Sequence, residues 1–188
     1  MASRRLFFAL WPETAFNARL RAAARGLDLP GARAVPELDW HVTLCFLGAV
    51  EERLIPALCK RVGALRPERF ELCFDALEHW PDARVLAASS AHTPAAARDL
   101  ARALGSAARE VGLAPDRRPL KAHLTLARGV AAATSAGAIQ KPLSPPLRFP
   151  ARRFYLAQSH ELEAATAGSL PAARYARLAA WALRSRER

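Results

Sequence analysis

The sequence predicts an α+β protein in which antiparallel sheets are flanked by helices. Two observations predict this class. The predicted helices fall between pairs of predicted strands, which favours antiparallel sheets over a doubly wound parallel sheet. A four-residue motif also recurs in two predicted strands, which indicates two related halves of one fold. A chain of 188 residues, 52% of them hydrophobic, suffices for one domain, or two small lobes, around a shared core.

The N-terminal part predicts two strands, each followed by a helix. Residues 4–11 form an apolar strand, Pro12 suits the first turn of a helix, and Gly26 helps to end that helix. Residues 40–46 form a second strand, closed by Gly48. The first helix has an apolar face made of Phe16, Leu20, Ala23 and Leu27. The second helix has an apolar face made of Val50, Leu54, Leu58, Val62 and Leu65.

The middle of the chain predicts a strand pair and a third helix. Residues 70–74 alternate like a half-buried strand, and residues 84–88 are its partner across a turn at residues 79–82. Thr93-Pro94 is typical of a helix N-cap followed by the first helical residue, and Gly112 of the end of that helix.

The C-terminal part predicts three more strands, which brings the totals to about seven strands and three helices. They cover residues 120–128, 153–158 and 174–183. The Ala/Pro/Ser-rich residues 131–146 are predicted to be irregular, apart from a possible short helix.

Charge and cysteine content narrow the class of partner and the compartment. The net charge of +11 favours encounters with polyanions, although scattered arginines also suit a plain solvated surface. Three cysteines cannot all pair and lack zinc-like spacing, so we expect packing thiols in a reducing, cytoplasmic setting. The longest apolar runs are six residues, which predicts no membrane span. We expect a monomer that needs no cofactor and no metal.

The recurring motif is His-x-Thr-Leu, at residues 41–44 and 123–126. Five histidines and six threonines placed at random would give about 0.16 His-x-Thr tripeptides, whereas the chain has two. Because side chains alternate along a strand, His41 and Thr43 share one face, as do His123 and Thr125. Each strand therefore offers an apolar face to the core and a His/Thr pair to a shared cleft.

Two histidines and two hydroxyls, without a cysteine or serine nucleophile, indicate displacement at phosphorus. One neutral imidazole takes a proton from the attacking oxygen, and one imidazolium protonates the leaving oxygen. Thr43 and Thr125 would donate to the phosphoryl oxygens, and Arg128 would complete the anion site. Strict alternation, however, puts Arg128 on the core face, so it reaches the cleft only if the strand ends or bulges near Gly129.

The residues around both motifs resemble the two-histidine (2H) phosphoesterase superfamily. Within it the chain is most similar to the LigT/ThpR family of RNA 2′,3′-cyclic phosphodiesterases, formerly called 2′-5′ RNA ligases. The resemblance covers nearly the whole chain and is carried by residues 5–12, 38–48, 123–128 and 155–159. Trp40 departs from the family pattern, and it either stacks on a base at the cleft rim or packs in the core.

The resemblance implies a bilobal α+β fold, with two antiparallel sheets flanked by helices and pseudo-twofold symmetry around a central cleft. Residues 1–188 would be a single domain of two intertwined lobes. It implies hydrolysis of RNA 2′,3′-cyclic phosphate ends, tRNA fragments among them, to 2′-phosphomonoesters, with weak reverse 2′-5′ ligation. His41 would be the general acid and His123 the general base. Thr43, Thr125 and Arg128 would bind phosphate.

Two alternatives stay open on the sequence alone. The cleft could bind a nucleotide or an RNA end with little turnover, or it could hydrolyse a small cyclic nucleotide. Arg117, Arg118 and Lys121 precede the second motif and could guide an RNA backbone, or they could form a solvated loop.

Overall fold

A computed structural model of the chain describes residues 2–27, 29–131, 140–160 and 174–185. The helices are α1 (Thr14–Ala23), α2 (Ile55–Gly63) and α3 (Ala95–Glu110). The strands are β1 (Ser3–Leu10), β2 (Arg33–Ala34), β3 (Val42–Glu51), β4 (Phe70–Trp80), β5 (Val85–Ser89), β6 (His123–Arg128), β7 (Gln140–Ala151), β8 (Arg153–Ser159) and β9 (Tyr175–Ala182). Among these residues, no helix is long and apolar enough to cross a bilayer.

The strands form two antiparallel sheets, as predicted. The first has the order β3-β1-β8-β9 and the second the order β2-β6-β5-β4-β7. The first sheet therefore combines strands from both ends of the chain, while the second takes its strands from the middle. Consequently, the two His-x-Thr-Leu motifs lie in different sheets.

Aromatic side chains pack the helices onto the sheets. Phe16 of α1 lies against Phe74 and Phe149 of the second sheet, with ring centroids 5.6 and 5.4 Å apart. On the first sheet, Phe154 stacks on Trp181 at 5.3 Å, and Gly63 of α2 lies beside the Trp181 indole. Burying such rings is the main favourable contribution to a core of this kind.

The second predicted helix begins later than its apolar spacing suggests. Gly48 does not close the strand, since β3 continues to Glu51 and pairs with β1 up to Ser3. Gly48 has φ +75°, a conformation that glycine adopts readily, next to a one-residue shift in the β1–β3 pairing. Val50 is therefore a buried strand residue, and α2 begins at Ile55.

Two predicted helix starts are also displaced. Helix α1 begins at Thr14, two residues after Pro12. Helix α3 begins at Ala95 with Pro94 at the N-cap, and the Thr93 hydroxyl instead accepts a hydrogen bond from the Ala122 N–H at 3.3 Å. The Thr93 hydroxyl therefore links the start of α3 to Ala122, the residue immediately before the second motif.

The prediction that residues 131–146 are irregular is wrong from residue 140 onward. Residues 140–151 form β7, which pairs with β4 at the edge of the second sheet. Prolines such as Pro142 and Pro150 are tolerated there because an edge strand needs hydrogen bonds on one side only. Residues 132–139, where a short helix was considered, lie outside the described residues.

Candidate active site

Both motifs line one cleft of about 650 Å³ between the two sheets. His41 and Thr43 reach it from β3 and the residue before it, and His123 and Thr125 from β6. Val42 and Leu44 are buried, as are Leu124 and Leu126, so each strand has the apolar and polar faces that alternation predicts. The five residues singled out by the sequence, Arg128 included, all line this cleft.

Arg128 reaches the cleft because β6 bulges. Along the β5–β6 pair, Ala87 lies opposite Thr125 and Leu86 opposite Ala127, so Leu126 has no partner. The extra residue reverses the alternation, which leaves Leu126 and Ala127 both buried and returns Arg128 to the face of Thr125. The unpaired Leu126 lies three residues before Gly129, whose φ is +73°.

The first motif has a shift at the matching position. Along the β1–β3 pair, Ala9 lies opposite Thr43 and Phe8 opposite Cys45, so Leu44 is skipped. The residue five positions after His41 is Phe46, and it lines the cleft as Arg128 does five positions after His123. The Arg5 guanidinium lies 4.8 Å from the centre of the Phe46 ring.

Both imidazoles are oriented by the backbone in the same way. His41 Nδ1 lies 2.6 Å from the Asp39 carbonyl oxygen, and His123 Nδ1 lies 2.8 Å from the Lys121 carbonyl oxygen. A carbonyl only accepts, so Nδ1–H donates in each case. In the neutral ring, Nε2 then carries the lone pair and is available for proton transfer.

Aromatic rings surround His41 more completely than His123. Trp11 stacks on His41 at 5.1 Å, Phe7 lies at 5.1 Å, and Tyr175 meets it edge-on at 4.7 Å. His123 contacts Trp80 at 4.7 Å, and the Lys121 ammonium lies 4.3 Å from the centre of the same indole ring.

These surroundings lower the pKa of both histidines. Burial lowers the pKa of His41 to about 4, and the positive charges of Arg128 and His123 add to the effect, while the hydrogen bond to Asp39 opposes it. Burial also lowers the pKa of His123, with the charges of Lys121 and Arg128 in the same direction and the hydrogen bond to Lys121 opposed. Both rings are therefore mostly neutral at pH 7 in the free protein.

Asp39 ties the first histidine to the C-terminal strand. Its carboxylate is buried, at 4% exposure, and accepts the backbone N–H of Arg174 at 3.0 and 3.1 Å. Arg174 precedes Tyr175, whose ring packs against His41. Asp39 thus supports His41 through its own carbonyl and through the position of Tyr175.

Sequence reasoning missed Asp39, Trp11, Tyr175 and Trp80 at this site. The sequence predicts Trp11 only as the end of a strand and Trp80 as part of a turn, whereas β4 extends to Trp80. The carbonyls at Asp39 and Lys121 belong to the backbone, so residue type carries no signal for them. Tyr175 is far from His41 in sequence, and only the β8–β9 pairing brings it there.

Other candidates lie away from the cleft. Trp40 is 6% exposed and donates from Nε1 to the Val35 carbonyl at 2.9 Å, so it packs in the core and does not form a stacking platform. His79 is buried, and His92 and His160 are exposed; none of them lines the cleft. Within the described ranges, no group of three or more His, Cys, Asp or Glu side chains could hold a metal ion. The three cysteines are unpaired, and burial raises the pKa of Cys45 to about 11.

Comparison with known proteins agrees with this geometry. Residues 10–87 match the family described as LigT like Phosphoesterase. The chain is 30% identical over 133 residues to the RNA 2′,3′-cyclic phosphodiesterase of Escherichia coli K12, a match that covers 70% of this chain and 76% of that protein.

Solved structures of LigT from E. coli are similar throughout. The complex with 3′-AMP superposes with a TM-score of 0.81 at 27% identity, over 97% of this chain and 99% of that one. The complex with ATP gives a TM-score of 0.77 at 26% identity and the same coverage. With two antiparallel sheets and paired His-x-Thr-Leu motifs facing one cleft, the chain belongs to the LigT-like phosphoesterases of the 2H superfamily.

Proposed function

We propose that this protein hydrolyses RNA 2′,3′-cyclic phosphate ends to 2′-phosphomonoesters by two-histidine acid–base catalysis that needs no metal. The observation that carries the proposal is the convergence of two backbone-oriented imidazoles, two threonines and one arginine on a single cleft. The activity named for the E. coli relative supports the choice of phosphodiester.

In the proposed reaction, the Nε2 atom of His123 takes a proton from water as the water oxygen bonds to phosphorus. The bond from phosphorus to O3′ breaks, and His41 donates its Nε2 proton to O3′. Thr43 and Thr125 donate hydrogen bonds to the non-bridging oxygens, where negative charge increases, and Arg128 binds the same oxygens through its guanidinium. The product carries its phosphate on O2′.

The lowered pKa of His41 sets a condition on its role as general acid. In the free protein its ring is neutral at pH 7, so it must gain its proton together with the anionic substrate. A phosphate in the cleft favours the imidazolium by direct attraction, and this attraction is strong where water is excluded. An RNA 5′-hydroxyl could attack the same phosphorus in place of water, with O3′ leaving and His123 and His41 in the same roles. The same groups would therefore catalyse weak 2′-5′ joining of that hydroxyl to the cyclic end.

Phosphorus NMR of an RNA oligomer with a 2′,3′-cyclic phosphate end tests the proposal directly. We expect the cyclic diester signal to be replaced by that of a 2′-phosphomonoester, in the presence of EDTA as well as without it. His41→Ala and His123→Ala should each lower the rate by at least about 10², the usual effect of losing a general acid or base. His92→Ala is the matched control because His92 is exposed outside the cleft. Unchanged turnover in either cleft variant, or loss of turnover in EDTA, would contradict the mechanism.

A small nucleotide is the second candidate substrate. Solved complexes of E. coli LigT contain 3′-AMP, NADP+ and ATP, so that relative binds single nucleotides. The same NMR experiment with a 2′,3′-cyclic mononucleotide separates the cases. Faster turnover of the mononucleotide than of the oligomer would favour a small substrate. Shifted but unconverted signals with both would favour a binding module.

A further inference from the structure

A second groove opens directly beside the catalytic cleft and is rich in arginine. It has a volume of about 670 Å³ and shares Leu44, Asp116 and Arg118 with the cleft, so the two form one continuous depression. Its remaining wall comes from α3 and from the loop that leads to the second motif. The arginines that line it are Arg98, Arg102, Arg109, Arg117 and Arg118.

Helix α3 presents one wall as a regular row. Arg98, Arg102 and Arg109 recur at one-face spacing, and Gly105 lies between the last two. An added Cβ at Gly105 would lie 3.4 Å from the Arg109 guanidinium and 4.0 Å from Cys45 Sγ, so the glycine keeps the floor of the groove low. From Arg98 to Arg109 the row extends about 16 Å along the helix axis.

The positive charge of this groove is only partly balanced. The lining contains five arginines and one acidic residue, Asp116. Arg118 Nε donates a hydrogen bond to Asp116 Oδ2 at 2.8 Å. Arg102 Nη2 lies 3.1 Å from Asp99 Oδ1 in an exposed i,i+3 ion pair. Because both side chains face solvent, this pair only weakly reduces the attraction of Arg102 for an anion. Within the described part of the chain, no acidic side chain pairs with Arg98, Arg109 or Arg117.

We propose that this arginine groove binds the sugar-phosphate backbone of the single-stranded RNA whose cyclic-phosphate end occupies the cleft. The inference rests on the proposed function and adds the path of the polymer. An open row of guanidinium groups suits a flexible polyanion, because each group binds a phosphate bidentately wherever the strand places it. A fully stacked strand rises about 3.4 Å per nucleotide, so the row along α3 accommodates at most about five nucleotides.

Binding can be measured apart from catalysis. The probe is a fluorescein-labelled RNA of eight nucleotides with a 3′-phosphate end, and its anisotropy reports affinity. In Arg102→Gln/Arg117→Gln we expect about five- to tenfold weaker binding, the usual effect of losing two exposed ion pairs. Because each phosphate contact contributes about 0.7 to the single-strand salt dependence, the slope of log Kd against log salt should fall by about 1.4.

The matched control is Arg19→Gln/Arg153→Gln, which removes the same charge from exposed positions outside both depressions. We expect this control to bind the octamer like the wild type. Equal losses in the groove variant and the control would overturn the inference, since net charge alone would then explain binding. Equal wild-type affinity for the octamer and for 3′-AMP would overturn it as well.

Turnover separates failure of the groove from failure of the proposed function. The groove variant should hydrolyse a 2′,3′-cyclic mononucleotide at the wild-type rate, while its KM for the cyclic-phosphate octamer rises. If the wild type converts both substrates with the same kcat/KM, the groove has no role and the proposed function stands. If the wild type converts neither substrate, the proposed function fails, whereas anisotropy still decides whether the groove binds RNA.

Discussion

His41 Nδ1 lies 2.6 Å from the carbonyl oxygen of Asp39, two residues earlier in the chain. The same Asp39 holds the Arg174 N–H through its carboxylate, so the start of β9 is fixed beside the imidazole. The geometry of the first histidine therefore depends on one buried acidic residue that does not itself line the cleft.

Asp39→Ala is expected to loosen the surroundings of His41. Loss of the charged acceptor of the part-buried Arg174 N–H should cost about 1.5–3 kcal/mol of unfolding free energy. Tyr175 should move away from the ring, which reduces burial, and the pKa of His41 should rise from about 4 towards 6.5. Histidine Cε1–H titration by NMR measures the shift. Asp39→Asn keeps one acceptor and should stay closer to the wild type; an unmoved His41 pKa in Asp39→Ala would contradict the link.

Folding stability should fall as the pH is lowered from about 6.5 to about 4. The unfolded chain binds a proton on His41 near pH 6.5, whereas the folded chain does so only near pH 4, so acid favours unfolding between these values. The loss is up to about 3 kcal/mol, and the lowered pKa of His123 acts in the same direction. Urea unfolding at several pH values checks this. In His41→Gln the dependence should flatten, and equal slopes in the two proteins would be inconsistent with it.

The roles of the two histidines can be distinguished by the leaving group. In a cyclic phosphate that carries sulfur in place of the 3′-oxygen, the leaving group is a thiolate. A thiolate departs without protonation, so this substrate needs no general acid. His41→Ala should regain most of its lost rate on this substrate, whereas His123→Ala should stay slow. Single-turnover rates of both variants on both substrates are the measurement. Recovery of His123→Ala instead would exchange the two assignments.

Arg128→Ala should lower kcat/KM by about 10²–10³, the usual effect of removing one donor to a developing oxyanion. Arg128→Lys should fall between this variant and the wild type, because lysine keeps the charge without the planar pair of donors. Arg33→Ala is the matched control, since Arg33 is an exposed arginine that pairs with Arg128 through the backbone only. A loss in Arg33→Ala as large as that in Arg128→Ala would remove the specific role of Arg128.

The motif pair made most of the site predictable, because strand alternation fixes where His41, Thr43, His123 and Thr125 point once the strands are known. Arg128 was harder, since its orientation depends on which residue β5 and β6 leave unpaired, and no residue type specifies that. The edge strand β7 was missed because its prolines suggest a loop unless the free edge is known. The rings around His41 come from distant parts of the chain, and only tertiary pairing brings them together.

The β1–β3 pairing leaves out Leu44, and the β5–β6 pairing leaves out Leu126. Each half of the fold therefore has a cleft-facing position five residues after its histidine, and the two halves place different residues there. One holds a fixed cation, Arg128, and the other a ring, Phe46, so the halves match in backbone but not in chemistry. An asymmetric ligand, with an anionic group at one end and a planar aromatic group at the other, would then have one favourable orientation. A regular ladder that paired Leu126 with Leu86 would reverse the outward and inward positions beyond it, leaving the Arg128 guanidinium among hydrocarbon and the Ala127 methyl in the cleft.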